Sequence, residues 1–146
     1  MSGAYFVTIN CYKKSNLFGW QTGDEVELNK LGHIASYYWH QIPIHFPNVE
    51  LDAFIVMPSH IHGIIFLNEN VVWAQHAAPI RHEFRVRPGS LGAIVRSYKS
   101  AVSRQIKLGN HGVTTPIWHR NYYERIIRNE RELEAIRNYV TYNAYK

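Results

Sequence analysis

Residues 49–57 and 60–67 are two runs of near-continuous apolar character with only Pro58 and Ser59 between them. Runs of this length, bounded by a turn signal, read as β-strands, and the short break pairs them as a hairpin. The second run ends at Asn68-Glu69-Asn70. A chain with such a hairpin at its centre is committed to a sheet, and the other elements have to be placed around it.

Residues 4–12 contain Phe6, Val7, Thr8 and Ile9 and end in Lys13-Lys14-Ser15-Asn16, a first strand running into a turn. Gly19 and Gly23 mark a loop. Leu28, Leu31, Ile34, Ala35, Tyr38 and Ile42 then recur at three- and four-residue spacing, which predicts an amphipathic helix that stops near Pro43. Residues 73–90 show no sustained period and read as a mobile loop. Leu91, Ile94, Val95, Tyr98, Val102 and Ile106 predict a second helix, closed by Gly109-Asn110. A long strand is expected over 117–128. Asn129, three residues before Glu132, starts a last helix that runs through at least Asn143.

The order is βαββαβα. Its first six elements match the α+β, ferredoxin-like βαββαβ arrangement, in which an antiparallel sheet carries both helices on one face and leaves the other face for ligands. The seventh element is a C-terminal helix added to that plan. At 146 residues, with 46% apolar and 18% charged residues, the chain reads as one globular domain over 1–146.

A net charge of +5 and a pI near 9.4 favour a polyanionic partner, because basic surfaces release the counterions condensed on phosphates. Cys11 is the only cysteine, which excludes an internal disulfide and a thiolate metal cluster and fits a reducing cytoplasm. No segment has the length of a membrane span and the amino terminus has no basic n-region, so a soluble, unexported protein is expected.

His60 and His62 stand two residues apart at the start of a strand, so both imidazoles project from one face while Ile61 points to the core. Two neutral imidazoles can supply two ligands to a divalent metal and leave positions open for a phosphate oxygen. Two histidines on a polar sheet face would have the same spacing. Of the ten tyrosines, Tyr122 and Tyr123 lie on the expected last strand, where one faces the ligand side and the other the core. Tyr139 shares an edge of the last helix with Asn143, one turn apart, beside a buried stripe of Leu133, Ile136 and Val140. Glu124 reads as an exposed strand carboxylate. On the second helix Arg96, Lys99, Ser103 and Lys107 form a basic stripe opposite the apolar one, and Arg81, Arg85 and Arg87 add charge in the loop before it.

The stretch Asp52-Ala53-Phe54-Ile55-Val56-Met57-Pro58-Ser59-His60-Ile61-His62-Gly63-Ile64-Ile65 resembles the signature strand pair of the HUH endonucleases. More narrowly it is similar to the single-tyrosine transposases of insertion sequences and their REP-associated relatives. The likeness continues through residues 92–101 and through Ile117-Trp118-His119-Arg120-Asn121-Tyr122-Tyr123-Glu124-Arg125-Ile126-Ile127-Arg128-Asn129. The resemblance implies a bacterial, nucleoid-associated enzyme that cuts and rejoins hairpin-flanked single-stranded DNA through a 5′-phosphotyrosine. It implies Tyr139 as nucleophile, from the match of Tyr139-Val140-Thr141-Tyr142-Asn143 to the family's Tyr-aliphatic-x-x-Asn pattern. It also implies Asn143 as third ligand beside His60 and His62 to Mg²⁺ or Mn²⁺. The charge pattern itself offers Arg81, Arg85, Arg87, Arg96, Lys99 and Lys107 as DNA contacts, the alternative for the helix being an ordinary solvated face. The wider family includes homodimers whose last helix serves the neighbouring subunit; the short step from strand to Asn129 points to action within one subunit. Two rival readings share these residues: a catalytically silent single-strand-binding module on the same fold, and a metallohydrolase in which two histidines activate water.

Overall fold

The computed structural model describes residues 3–68 and 89–142. Strand β1 (Gly3–Asn10) is followed by a small hairpin of β2 (Gly19–Thr22) and β3 (Glu25–Leu28), helix α1 (Lys30–His40) and a short helix α2 (Ile42–His45). Then come β4 (Val49–Met57), β5 (His60–Leu67), helix α3 (Leu91–Leu108), β6 (Tyr123–Ile127) and helix α4 (Glu130–Thr141).

Four strands form one antiparallel sheet in the order β4-β5-β1-β6, with β1 paired to both β5 and β6. This is the ferredoxin-like plan expected from the element order. Side chains alternate across the sheet. On one face Val7 and Ile9 of β1 with Ile61, Ile65 and Leu67 of β5 pack against α1 and α3, through Leu31, Ala35, Trp39, Ile94, Tyr98, Val102 and Ile106. On the other, Phe6 and Ile64 pack with Ile127 against Leu133 and Val140 of α4. The near-continuous apolar runs are thus explained: β4, with Phe54 and Val56 on one face and Ala53 and Ile55 on the other, and β5 are both packed on two sides.

Three expectations are corrected. The loop around Gly19 and Gly23 is the β2–β3 hairpin, paired from Gly19↔Leu28 to Thr22↔Glu25. Its strands have four residues each, mostly exposed and polar, too short to show a period. The signal that finds it is Gly23-Asp24 as a two-residue turn, with Gly23 at φ +63. The long strand over 117–128 is cut to β6, preceded by a lone bridge of Trp118 to Cys11. Between them only the His119 N–H still donates to β1, at the Asn10 carbonyl; the Asn121 N–H donates to His119 Nδ1, and Lys99 Nζ donates to the carbonyls of His119 and Arg120. The first helix does stop near Pro43, at His40, but two residues of its expected stripe lie outside it, Leu28 in β3 and Ile42 in α2, and Trp39 is buried on its face instead.

Gly63 of the histidine motif has a packing role. A Cβ there would lie 2.3 Å from Cζ2 of Trp39, whose indole lies flat on Phe54 with ring centroids 4.6 Å apart. The missing side chain lets α1 approach the centre of the sheet. Gly63→Ala should therefore destabilise the fold by about 1–3 kcal/mol through overpacking, read as a lower denaturation midpoint in urea with an unchanged m-value.

Candidate functional site

The two-residue turn at Pro58-Ser59 sets His60 and His62 at the start of β5, on the face that α4 covers. His62 lies opposite Thr8, and His60 opposite Asn10. Their ring centroids are 4.5 Å apart. Each imidazole is held at Nδ1 by a hydroxyl: His62 by Thr8 Oγ1 at 2.9 Å, His60 by Ser59 Oγ at 3.1 Å. Hydroxyl partners at Nδ1 fix the ring orientation and direct metal ligation, where it occurs, to Nε2. Burial, and next the charge of Lys14, lower the pKa of His60, which keeps it neutral near pH 7 as a ligand must be.

Tyr139 of α4 meets this pair. Its ring stands at 64° to that of His62, with centroids 5.4 Å apart, and edge-on to Phe6 at 6.0 Å. Phe6 in turn stacks on His62 at 5.3 Å. His62 is 6% exposed, whereas Tyr139 remains 43% exposed, so the phenol lies on the rim of a buried imidazole. The expected stripe of Leu133, Ile136 and Val140 is the face that α4 buries.

A second device holds α4 down. Between the pairs Leu51↔Ile65 and Phe54↔Gly63 the register of β4 shifts, so Asp52 and Ala53 together oppose Ile64. A bulge of this kind re-aims a side chain. Here Ala53 joins the α4-side core, while the carboxylate of Asp52 accepts two hydrogen bonds from Arg137, from Nε at 2.8 Å and from Nη2 at 2.9 Å. Arg137 is two residues from Tyr139. This paired fork, which holds the Asp52 carboxyl below its usual value, is invisible to a periodicity reading.

The alternation of β6 sorts the competing tyrosines. Tyr123 pairs with Thr8 and shares the histidine face, edge-on to Phe6 at 6.4 Å. Tyr122 belongs to the other face, where its hydroxyl donates to Glu124 at 2.6 Å and its pKa is driven far above that of an ordinary phenol, first by burial and then by that carboxylate. Glu124 pairs with Val7 and so points away from the histidines. Cys11 is buried, and burial pushes its thiol up to about 12, which removes it as a nucleophile.

The basic stripe on α3 lies in the layer opposite the histidines. Arg96 and Lys107 are exposed as expected, but Lys99 is not a free surface charge: its ammonium is spent on the carbonyls of His119 and Arg120. Arg81, Arg85, Arg87 and Asn143 lie outside the described residues. Among the described residues no group of three His, Cys, Asp or Glu side chains could hold a metal ion. Nor is any helix there long and apolar enough to cross a membrane.

No family model matches the chain. Over 97% of its length it is 36% identical to an uncharacterised protein of Haemophilus influenzae, of which it spans 79%. The architecture is also that of a solved REP-associated tyrosine transposase bound to a REP hairpin, at a TM-score of 0.65 and 19% identity over 97% of this chain. The chain spans 66% of that structure, just under two thirds. A crystal structure of a candidate transposase from Deinococcus radiodurans R1 shares the fold at a TM-score of 0.58 and 15% identity, over 99% of this chain and 92% of that one. The chain therefore shares its fold with these two solved structures. Within it, the chain belongs to one family with the Haemophilus protein.

Two outcomes follow from the charges around the site. In an NMR titration His60 should titrate below an ordinary histidine, and Lys14→Ala should raise its midpoint only part of the way, since burial is the larger cause. The Asp52 carboxyl is depressed in the folded state, so its contribution is complete above the ordinary carboxylate range and disappears as pH falls through the depressed value. Asp52→Asn should melt lower than the parent at neutral pH and converge with it in strong acid, as thermal melts across a pH series will read.

Proposed function

We propose that this protein is a metal-dependent tyrosine endonuclease and strand transferase acting on single-stranded DNA beside a hairpin, with Tyr139 as nucleophile. The observation that carries the reading is the contact of the exposed Tyr139 with His62, made by a helix docked on the face that holds both histidines. In the step, the phenolic oxygen of Tyr139 forms a bond to phosphorus and loses its proton, while the bond from phosphorus to the 3′ oxygen breaks and that oxygen is protonated. The products are a 5′-phosphotyrosine and a free 3′-hydroxyl, and attack by another 3′-hydroxyl reverses the step and joins strands. The phosphodiester energy is kept in the tyrosyl ester.

His60 and His62 suit a divalent cation, Mg²⁺ or Mn²⁺: their rings are adjacent and oriented through Nδ1 by Ser59 and Thr8, and burial favours the neutral form of His60. Such an ion supplies charge neutralisation on the scissile phosphate. Asn143 is proposed as a further ligand on the strength of the family pattern. The chain's own groups supply the rest. Phe6 backs both His62 and Tyr139, Thr8 fixes His62, and the Asp52–Arg137 fork with Leu133 and Val140 holds the helix that carries the phenol. That α4 packs on its own chain's sheet supports attack within one subunit. The REP hairpin held by the structural relative supports a hairpin-flanked substrate.

Incubation with a hairpin-flanked single strand and Mg²⁺ or Mn²⁺ should give a protein–DNA adduct that survives denaturant, absent in Tyr139→Phe and retained in Tyr123→Phe. Thr8→Val should slow adduct formation about 10- to 100-fold by releasing the His62 ring, and His60→Ala should abolish it. An adduct that persists in Tyr139→Phe but is lost in Tyr123→Phe would move the nucleophile to the strand.

A further inference from the structure

On the face away from the histidines, α3 and the segment 119–122 enclose a groove of about 530 Å³, lined by Val95, Arg96, Lys99, Arg120, Asn121 and Tyr122 among others. That volume falls within the range of small-ligand pockets, about 300–1,000 Å³. Its chemistry is mixed in a specific way. Tyr122 supplies an aromatic wall whose hydroxyl is tied to Glu124. Asn121 supplies an amide that can pair with a base edge. Arg96 and Arg120 are exposed guanidinia with no ion pair or hydrogen bond to the described residues. The floor is preset. Lys99 pins the carbonyls of His119 and Arg120, the Asn121 N–H donates to His119 Nδ1, and the Trp118 indole N–H donates to the Lys99 carbonyl.

The groove also sits where a strand leaving the candidate site would pass. β6 is the edge strand of the sheet, and Tyr123, the next residue along, projects from the opposite face towards Phe6 and the histidines. Two consecutive aromatics therefore bracket the sheet edge, one in the groove and one on the histidine face. Aromatic rings stack on unpaired bases whatever their identity, and guanidinia take the phosphates between them.

We infer that this groove is a subsite for one unpaired nucleotide of a single strand that crosses the β6 edge from the histidine face, its base against Tyr122 and Asn121 and its phosphate between Arg96 and Arg120. The inference rests on the single-stranded DNA reading above but not on the identity of the nucleophile. The subsite gives the enzyme a grip on the strand away from the scissile phosphate, and through Asn121 a means of preferring one base.

Binding is read by fluorescence anisotropy with a labelled hairpin that carries an unpaired tail. The double variant Arg96→Ala/Arg120→Ala should weaken binding about tenfold or more and lower the slope of log Kd against log salt by about 1.4, as expected for two lost contacts to single-stranded phosphates. Tyr122→Phe, which keeps the ring, should bind like the parent, and Tyr122→Leu about tenfold more weakly. With 5-iodouracil in the tail, photocrosslinks on the unaltered protein should map to the peptide holding Asn121 and Tyr122, a result that does not depend on any variant folding. Parental affinity in the double variant, an equal loss on a blunt duplex without a tail, or crosslinks that all map elsewhere would overturn the subsite. Because anisotropy needs no chemistry, a protein that binds through the groove but forms no adduct would sink the nucleophile and leave the subsite standing.

Discussion

The central strands β1 and β5 are apolar on both faces, and that is the constraint on which the rest of the molecule depends. Val7, Ile9, Ile61 and Ile65 are removed from water by α1 and α3, but Phe6 and Ile64 would remain exposed on the opposite face of a four-stranded sheet with helices on one side only. Burying an aromatic and a branched aliphatic side chain is worth about 1.5–3 kcal/mol each. Covering that face is therefore a strong reason for α4 to dock, and the cover ends where the polar residues Thr8, His60 and His62 begin. The candidate site is the boundary between the second core and its polar rim.

This boundary explains how the two histidines are held. A β-strand alternation alone puts both rings on one face, but an unpaired imidazole buried beneath a helix would be a liability. Here the hydroxyls of Thr8 and Ser59 engage the δ nitrogens, and Phe6 supports the His62 ring. Partial cover from α4 buries His62 while leaving the phenol of Tyr139 in contact with solvent. A bulge in β4 turns Asp52 towards Arg137 and ties the helix at a point two residues from that phenol. Packing, hydrogen bonding and charge thus converge on the position of one ring.

The proposed path of the DNA follows from the same sheet. The histidine face and the α3 face are separate layers, so the cations of α3 do not surround the histidines. They become relevant only at the β6 edge, where the chain between Trp118 and Tyr123 leaves the ladder and is held by Lys99. What looked like one long strand in the sequence is a strand plus a shaped segment, because a side chain twenty residues away supplies partners to its backbone carbonyls.

The sequence by itself determined most of the strands and helices, the core stripes of α3 and α4 and part of that of α1, where Trp39 was missed, and the common face of His60 and His62. Each of these rests on a local period, and a local period is written in consecutive residues. The β2–β3 hairpin escaped because four-residue polar strands carry no period, although Gly23-Asp24 marked its turn. Only the tertiary structure decided that α4 lies across the histidine face, that Tyr123 rather than Tyr122 shares this face, that Lys99 is a backbone clamp, and that Asp52 and Arg137 pair. The last two depend on partners 20 and 85 positions apart in the chain. No periodicity encodes which distant carbonyl or carboxylate a cation will meet; packing of the two layers on the sheet selects the partner.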